Sequence, residues 1–273
     1  MSPGRACAKI NLGLVVGPLR GDGKHEVATA LVRVDLYDTI NVETTRSDTI
    51  VVDGFEDTIV RRALEELTRR AGESRGWQVA IEKRIPVAAG LGGGSADAGT
   101  ALRLANELLD TPLAGHQLHD VAADIGADVP FFLEAGPKLA TGDGTELAPI
   151  SIPLDFWVVL VMPSGIAKTS TADVYQAFDD RARSAGFEER RTELMRALNG
   201  AQVTSDLAAL PHNDLVTSPV TDDLVRLGAL HADVTGAGPA VYGLFEDRRR
   251  AERASRELEG LGQRWVVRPA PVS

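Results

Sequence analysis

The chain has 273 residues, 44% hydrophobic and 25% charged, enough for one large domain or two modest ones around a packed core. Its formal charge of −10 argues against a non-specific nucleic-acid binder, which needs a basic face. One cysteine excludes an internal disulfide and any multi-cysteine metal site. The absence of a leader-like apolar run or of a stretch of about 18 apolar residues makes a cytoplasmic, non-membrane protein the expectation.

Residues 5–16 alternate as a strand, with Cys7, Lys9, Asn11 and Gly13 on one face and Ala8, Ile10, Leu12 and Leu14 on the other. Lys9 and Asn11 read either as a solvated strand face or as the wall of a site, and the segment alone leaves both open. Cys7 reads as a small buried residue rather than a nucleophile. Residues 17–26 form a turn-rich charged loop in which His25, taken singly, is structural. Residues 27–36 return to strand or helix, and residues 38–52 read as strands joined by a polar turn at 44–48. Residues 57–71 carry Ile59, Val60, Ala63, Leu64 and Leu67 at helical spacing, with charges on a solvated face.

Residues 77–85 alternate as a strand and run into Pro86-Val87-Ala88-Ala89-Gly90-Leu91-Gly92-Gly93-Gly94-Ser95-Ala96-Asp97. Four glycines in five positions let a backbone approach a ligand closely and turn several N–H groups one way. Ala96, Ala98, Leu102, Ala105, Leu108 and Leu109 then follow at roughly helical spacing. Strand, glycine loop and helix N-terminus together make a phosphate cradle from peptide dipoles and unpaired amides. The loop lacks the Gly-Lys-Ser or Gly-Lys-Thr of a P-loop, and no dinucleotide-binding unit occupies the first 40 or so residues.

Residues 116–125 read as a helix ended by Gly126, and Asp128 before Pro130 reads as an N-cap, alone or with a catalytic role. Residues 138–146 turn through Thr141-Gly142-Asp143-Gly144, and the proline-bearing span 149–153 is the expected domain boundary. The apolar run 156–162 fits a buried strand, residues 171–178 a helix capped by Ser170 or Thr171, and 186–198 a charged helix. Asn213-Asp214-Leu215 interrupts a polar stretch. A second glycine turn, Thr235-Gly236-Ala237-Gly238-Pro239, leads into a strand; a charged helix over 248–261 and a short strand at 265–267 close the chain, giving an α+β C-terminal half.

The motifs Ala8-Lys9-Ile10-Asn11-Leu12, Gly21-Asp22-Gly23-Lys24-His25-Glu26, the run 86–97, Gly126-Ala127-Asp128-Val129-Pro130-Phe131-Phe132, Asn213-Asp214-Leu215 and Thr235-Gly236-Ala237-Gly238-Pro239 cover nearly the whole length. In kind and order they resemble the GHMP superfamily of small-molecule kinases. Within it they look most like the branch that phosphorylates 4-(cytidine 5′-diphospho)-2-C-methyl-D-erythritol in the non-mevalonate isoprenoid route. The resemblance implies an α+β, two-lobed GHMP kinase fold: a ribosomal-protein-S5-domain-2-like N-terminal domain and a ferredoxin-like C-terminal domain. The corresponding expected bounds are 1–153 for the ATP-binding domain and 154–273 for the substrate-side domain.

It further implies ATP and Mg²⁺ as cofactors. Pro86, Val87, Ala88, Ala89, Gly90, Leu91, Gly92, Gly93, Gly94, Ser95 and Ala96 would wrap the ATP phosphates, with Lys83 adding charge and Ser95 helping to place the metal. Lys9 and Asp128 would be the catalytic pair, Asp128 accepting or orienting the proton of the attacking hydroxyl and Lys9 holding that carboxylate. Asn11, Lys24, His25 and Asp128 would line the acceptor pocket. The expected partner is a small-molecule substrate, with no nucleic acid and no membrane, and the expected state is a monomer or homodimer.

Three positions depart from the family pattern. Lys24 stands where the family usually has a cytosine-stacking Tyr, Thr58 where an Asn lies near the adenine, and Ala237 where a Ser or Thr is common. Two rival readings follow: a related kinase using Lys24 to bind a smaller anionic alcohol, and an ATP-binding regulator without transfer activity. Retention of both Lys9 and Asp128 argues against the second.

Overall fold

The computed structural model describes residues 3–54, 58–165, 170–181 and 184–270, with Thr58 described in its backbone only. The chain divides into two compact units that are not contiguous in sequence. One comprises Met1–Ala8, Leu36–Val87 and Gly92–Ala135; the other comprises Lys9–Asp35, Ala88–Leu91 and Gly136–Ser273. The expected boundary at 153/154 therefore falls inside the second unit. Strands β1 (Gly4–Leu19) and β2 (His25–Thr45) each pass from one unit to the other.

In the first unit, the later half of β2 pairs antiparallel with β4 (Gly76–Glu82), in the register Thr39↔Glu82 to Thr45↔Gly76. Strand β3 (Ile50–Asp53) joins β4 on its other side in parallel, Ile50↔Trp77 to Asp53↔Ala80. Among the described residues the unit also holds the α-helices α1 (Thr58–Ala71), α2 (Gly93–Asn106) and α3 (Gly115–Ile125). The expected helical stripe of α1 is its buried face, with Val60, Ala63, Leu64 and Leu67 all inaccessible. Trp77 is also fully buried and donates its indole N–H to Thr68 Oγ1 at 2.9 Å, so the ring's one polar atom is satisfied. Each such large side chain stabilises the unit by about 1.5–3 kcal/mol.

The alanine-rich stripe Ala96, Ala98, Ala101 and Ala105 of α2 is fully buried, small side chains permitting close packing. A glycine inside a helix costs about 1 kcal/mol relative to alanine, yet α2 carries Gly99. A Cβ there would lie 2.7 Å from Phe132 Cβ and 3.2 Å from the Val129 carbonyl oxygen. Gly99 is the seat on which the 3₁₀ turn Pro130–Leu133 rests.

In the second unit, the first half of β2 pairs antiparallel with β5 (Lys138–Thr141), and β5 with β6 (Glu146–Pro149). A separate four-stranded antiparallel sheet has the order β10-β7-β9-β8, from β7 (Trp157–Pro163), β8 (His231–Val234), β9 (Val241–Phe245) and β10 (Gly262–Val267). Helices α4 (Thr171–Asp180), α5 (Phe187–Gly200) and α6 (Pro219–Arg226) lie in sequence between β7 and β8, and α7 (Arg248–Glu257) between β9 and β10. Placing the fourth strand beside the first, and the third between first and second, is the ferredoxin-like arrangement that the resemblance implies. Val159, Val161, Val241 and Phe245 of this sheet share one core with Val220 and Leu224 of α6 and Ala251 and Ala254 of α7.

Helix α4 begins as expected at Ser170, which accepts from the Asp173 amide at 3.1 Å and completes a capping box. Gly126 ends α3 as expected, in extended backbone (φ 176°). One local expectation is corrected. The cap of the following turn is Val129, one residue beyond Asp128, which leaves that carboxylate outside a capping role. No described helix is long and apolar enough to cross a membrane.

Candidate active site

Strand β1 does not present a solvated face. Lys9 is 3% and Asn11 5% exposed, nearly as inaccessible as the Ile10 between them. A buried ammonium must be hydrogen-bonded, and Lys9 Nζ donates to Asn11 Oδ1 at 2.6 Å. Asn11 Oδ1 also accepts from Thr235 Oγ1 at 3.1 Å, while Asn11 Nδ2 donates to Thr29 Oγ1 at 2.9 Å. Thr29 Oγ1 passes its own hydrogen to the Gly13 carbonyl at 2.7 Å. Gly13 sits in the left-handed region (φ 77°) inside a strand, a kink at a functional segment. Asn11 thus fixes the Lys9 ammonium. Cys7, expected to be buried, is half-buried.

The second glycine turn packs on this network. A Cβ on Gly236 would come within 3.2 Å of Lys9 Nζ and 3.3 Å of the Gly90 carbonyl oxygen. Asn213 holds the turn from below, its amide Nδ2 donating to the Val234 and Gly236 carbonyls at 2.9 and 2.8 Å. Asp214 accepts from the Val16 amide at 2.9 Å and from Arg190 Nε at 3.0 Å. The Asn213-Asp214-Leu215 motif is therefore a stitch between β1 and the turn. Ala237, without the hydroxyl common in the family, packs against the apolar cluster of Leu14, Val16, Val27 and Phe178.

The glycine loop crosses from the first unit to the second at residues 88–91 and back. In the second unit, Ala89 and Leu91 are buried, and their carbonyls accept from the Ala240 and Lys9 amides at 3.0 and 2.9 Å. A Cβ on Gly90 would collide with the Thr235 carbonyl oxygen at 2.1 Å, so only glycine permits this approach. Ala88 adopts φ 55°, a left-handed conformation that costs a non-glycine residue roughly 1–2 kcal/mol. Strain of this kind concentrates where a loop holds a ligand.

In the first unit, α2 starts at Gly93 after a left-handed Gly92, and the first intrahelical bond is Ala96 N–H to the Gly92 carbonyl at 2.8 Å. The amides of Gly93, Gly94 and Ser95 precede that bond, the arrangement that receives an anion at a helix N-terminus. A Cβ on Gly93 would sit 3.0 Å from Ile85 Cγ2 and 3.6 Å from Lys83 Nζ, filling the space above the helix end. These features fit a phosphate. Ser95, the proposed metal ligand, is half-buried on this first turn.

Lys83 is bound between two fully buried carboxylates, Asp38 Oδ2 and Asp97 Oδ2, each at 2.6 Å. Asp38 Oδ1 accepts in addition from the Arg84 and Ile85 amides at 2.5 and 2.9 Å, fixing the chain just before Pro86. Burial acts to lower the Lys83 ammonium, but the hydrogen bonds and charges of Asp38 and Asp97 outweigh it and hold it raised. Burial pushes the Asp97 carboxyl up to about 8 against the opposing effect of Lys83, and its second oxygen has no hydrogen-bond partner. Asp97 thus carries a proton near neutrality. Lys83 anchors the loop entrance more than it adds charge to a ligand.

A prediction follows from the sign of that shift. The folded-state value near 8 exceeds the ordinary 3.8, so the folded chain holds a proton that the unfolded chain has released. Stability is highest below about pH 4 on this account and declines as pH rises through 8. Asp97→Asn, which mimics the protonated form, is expected to flatten the decline of the thermal unfolding midpoint between pH 5 and 9; an unchanged slope would refute the assignment.

His25 is buried, and because the Gly17 carbonyl can only accept, the 2.9 Å contact places a hydrogen on His25 Nδ1. Tyr175 stacks on the imidazole at 5.1 Å, Phe178 meets it edge-on at 5.7 Å, and Asp179 Oδ2 lies 3.4 Å from Nε2. Helix α4 thus supplies aromatic surface beside His25. Lys24 Nζ meets Asp143 Oδ2 at 2.5 Å, in the turn after β5. Burial acts to raise the Asp143 carboxyl, but hydrogen bonds from Lys24 and Thr145 outweigh it and bring it down to about 2.

Asp128 is half-buried and carried by a firmly seated turn: Val129 N–H donates to the Gly126 carbonyl and Phe132 N–H to the Val129 carbonyl, both at 3.0 Å. Phe131, fully buried, anchors the segment. The side chain of Thr58 lies outside the described residues.

Residues 58–136 match the family of GHMP kinases N terminal domains, and residues 188–263 the family of GHMP kinases C terminal domains. This chain belongs to the GHMP kinases. A 4-diphosphocytidyl-2-C-methyl-D-erythritol kinase of Gloeobacter violaceus is 36% identical over 271 residues, covering 94% of this chain and 89% of that protein. The protein of the same name from Syntrophotalea carbinolica is 38% identical over 269 residues, covering 93% of this chain and 92% of its own. A crystal structure of 4-(cytidine 5'-diphospho)-2C-methyl-D-erythritol kinase superposes with a TM-score of 0.78 at 30% identity, covering 99% of this chain and 100% of that one.

As a GHMP kinase the chain is an ATP-dependent phosphotransferase, and the expected kinase activity and two-part fold stand. The sequence singled out Lys9, Asn11, His25, Lys83 and the loop. It missed the residues that hold them: Thr29 and Thr235 for Asn11, Asp38 and Asp97 for Lys83, Asp143 for Lys24, Tyr175 and Phe178 for His25. Asp97 and Thr235 stood inside recognised motifs and so carried some signal. Asp38 and Asp143 had none, being 45 and 119 residues from the lysines they pair with.

Proposed function

We propose that this GHMP kinase transfers the γ-phosphoryl group of ATP to the 2-hydroxyl of 4-(cytidine 5′-diphospho)-2-C-methyl-D-erythritol. The observation that carries the reading is the 36–38% identity, over more than nine-tenths of the chain, to proteins named for that substrate. The N-terminal amides of α2 and the loop from Pro86 to Ala96 hold the phosphates. Asp128 orients or accepts the proton of the attacking hydroxyl. Lys9, its ammonium directed by Asn11, stabilises the charge that develops as the phosphoryl group moves. Mg²⁺, when bound, neutralises phosphate charge, and the Ser95 hydroxyl is its proposed ligand. His25, with the Tyr175 face against it, forms the acceptor wall. The proposed division at 153/154 puts the matched segment 58–136 on the ATP side and 188–263 on the acceptor side.

Lys24 bears on the acceptor. Its pairing with Asp143 already neutralises it, which speaks against its use as the anchor for an anionic alcohol. Base–aromatic stacking is worth about 1–3 kcal/mol, so Lys24→Tyr is expected to lower KM for the cytidine substrate roughly fivefold or more, with turnover little changed. The test is ADP release over a panel of alcohols that includes the cytidine substrate. Release with a different alcohol and none with the cytidine compound would sink the assignment. Loss of activity on an anionic alcohol in Lys24→Tyr would favour the rival acceptor.

A further inference from the structure

We propose that His212, His231 and Asp233 form a binding site for a divalent transition-metal ion of the Zn²⁺ type, clipping the segment before α6 to strand β8. Nothing in the proposed reaction uses these three side chains, and Asp233 is joined to the stitch under the second glycine turn through the Asn213 amide. Their ligand atoms all lie within 4.8 Å of one another. His212 Nδ1 is 3.4 Å and His231 Nε2 3.9 Å from Asp233 Oδ2. With metal–ligand bonds of about 2.0–2.2 Å in tetrahedral geometry, neighbouring ligand atoms stand roughly 3.3–3.6 Å apart. The His212–Asp233 pair already has that spacing; His231 must move inward, and the stacked imidazoles, 5.3 Å apart with 20° between their planes, must turn for both to face one ion.

The observation that points to a ligand is His231. Its ring is 4% exposed, yet its Nε2 has no hydrogen-bond partner and faces the Asp233 carboxylate. A buried polar nitrogen without a partner is costly, and a bound cation would satisfy it. An ordinary ion pair between His212 and Asp233 explains the 3.4 Å contact but leaves His231 Nε2 orphaned. Asp233 is held for ligation by backbone donors: Oδ2 accepts from the Asn213 amide at 2.6 Å and Oδ1 from the Val234 amide at 2.7 Å. Such outer contacts orient metal ligands in known sites. His212, 74% exposed in its side chain, offers the entry path. Two imidazoles and one carboxylate suit Zn²⁺, Ni²⁺ or Cu²⁺ and not Mg²⁺, which prefers an oxygen shell. The fourth position would be water.

The test is titration of the intact protein with Zn²⁺, free of nucleotide and Mg²⁺, against a chromophoric chelator, with thermal unfolding in parallel. Wild type is expected to bind one equivalent saturably and to unfold at a higher temperature with Zn²⁺ present. His212→Ala, an exposed change that spares the fold, is expected to weaken that affinity about tenfold or more and to abolish the thermal shift; His231→Gln should do the same. A double variant His116→Ala/His119→Ala on α3 serves as control and is expected to bind as wild type does. Absence of saturable binding by wild type, equal affinity in His212→Ala, or loss of binding in the α3 control would each overturn the proposal.

Discussion

Asp128→Asn is expected to reduce turnover by about 10²–10⁴-fold, the range that a positioned proton acceptor contributes, while ATP affinity stays within a factor of about two. Asparagine keeps the shape and one acceptor oxygen but loses the charge that attracts the hydroxyl proton. The fold around it is expected to hold, because the segment is fixed by other means. Phe131 is buried, the Val129 and Phe132 amides are bonded within the turn, and Gly99 leaves the space into which Phe132 packs. Single-turnover kinetics and nucleotide titration separate the outcomes. If turnover and ATP affinity fall together, Asp128 serves the structure and not the chemistry.

The second large effect concerns stability. Asp38→Ala is expected to destabilise the protein by about 3–5 kcal/mol, the cost of breaking a buried ion pair from one side. Three donors each lose an acceptor at once: Lys83 Nζ, which also donates to Asp97, and the amides of Arg84 and Ile85. Lys83 is left with Asp97, whose carboxyl burial holds up near 8 and which is therefore a poor anion until Asp38 is gone. Removing Asp38 is expected to draw the Asp97 proton off, so part of the loss is recovered. The unfolding midpoint is expected to drop on the order of 10 °C, with Asp38→Asn in between because its amide oxygen still accepts from the backbone. Because those amides fix the chain before Pro86, nucleotide affinity should fall with stability. A midpoint within 2 °C of wild type, on that scale, would show that the trio contributes little.

The sequence by itself determined the family and the order of most elements. Those signals are local. The glycine run, the periodic alanines of α2, the Ser170 cap and the apolar strand β7 all lie within a few residues of what they specify, and the kinase motifs are contiguous. The phosphate-cradle reading of residues 86–97 needed only that a strand, four glycines and a helix start follow one another.

The tertiary structure alone decided what each polar residue touches. In the sequence, Lys9 and Asn11 could be a wetted strand face. In the fold they are buried and bonded to each other, and Asn11 is held by Thr235, 224 residues away. Lys83 read as a charge for the nucleotide, and the fold gives it to Asp38 and Asp97. Lys24 read as a free cation at the acceptor, and the fold pairs it with Asp143. The reason is common to all three. Periodicity reports which residues leave water, but the partner of a buried charge is chosen by whichever distant segment the fold brings within about 3 Å, and no local pattern encodes that distance. The chemistry of the GHMP site was legible in one dimension; its electrostatic wiring was set in three.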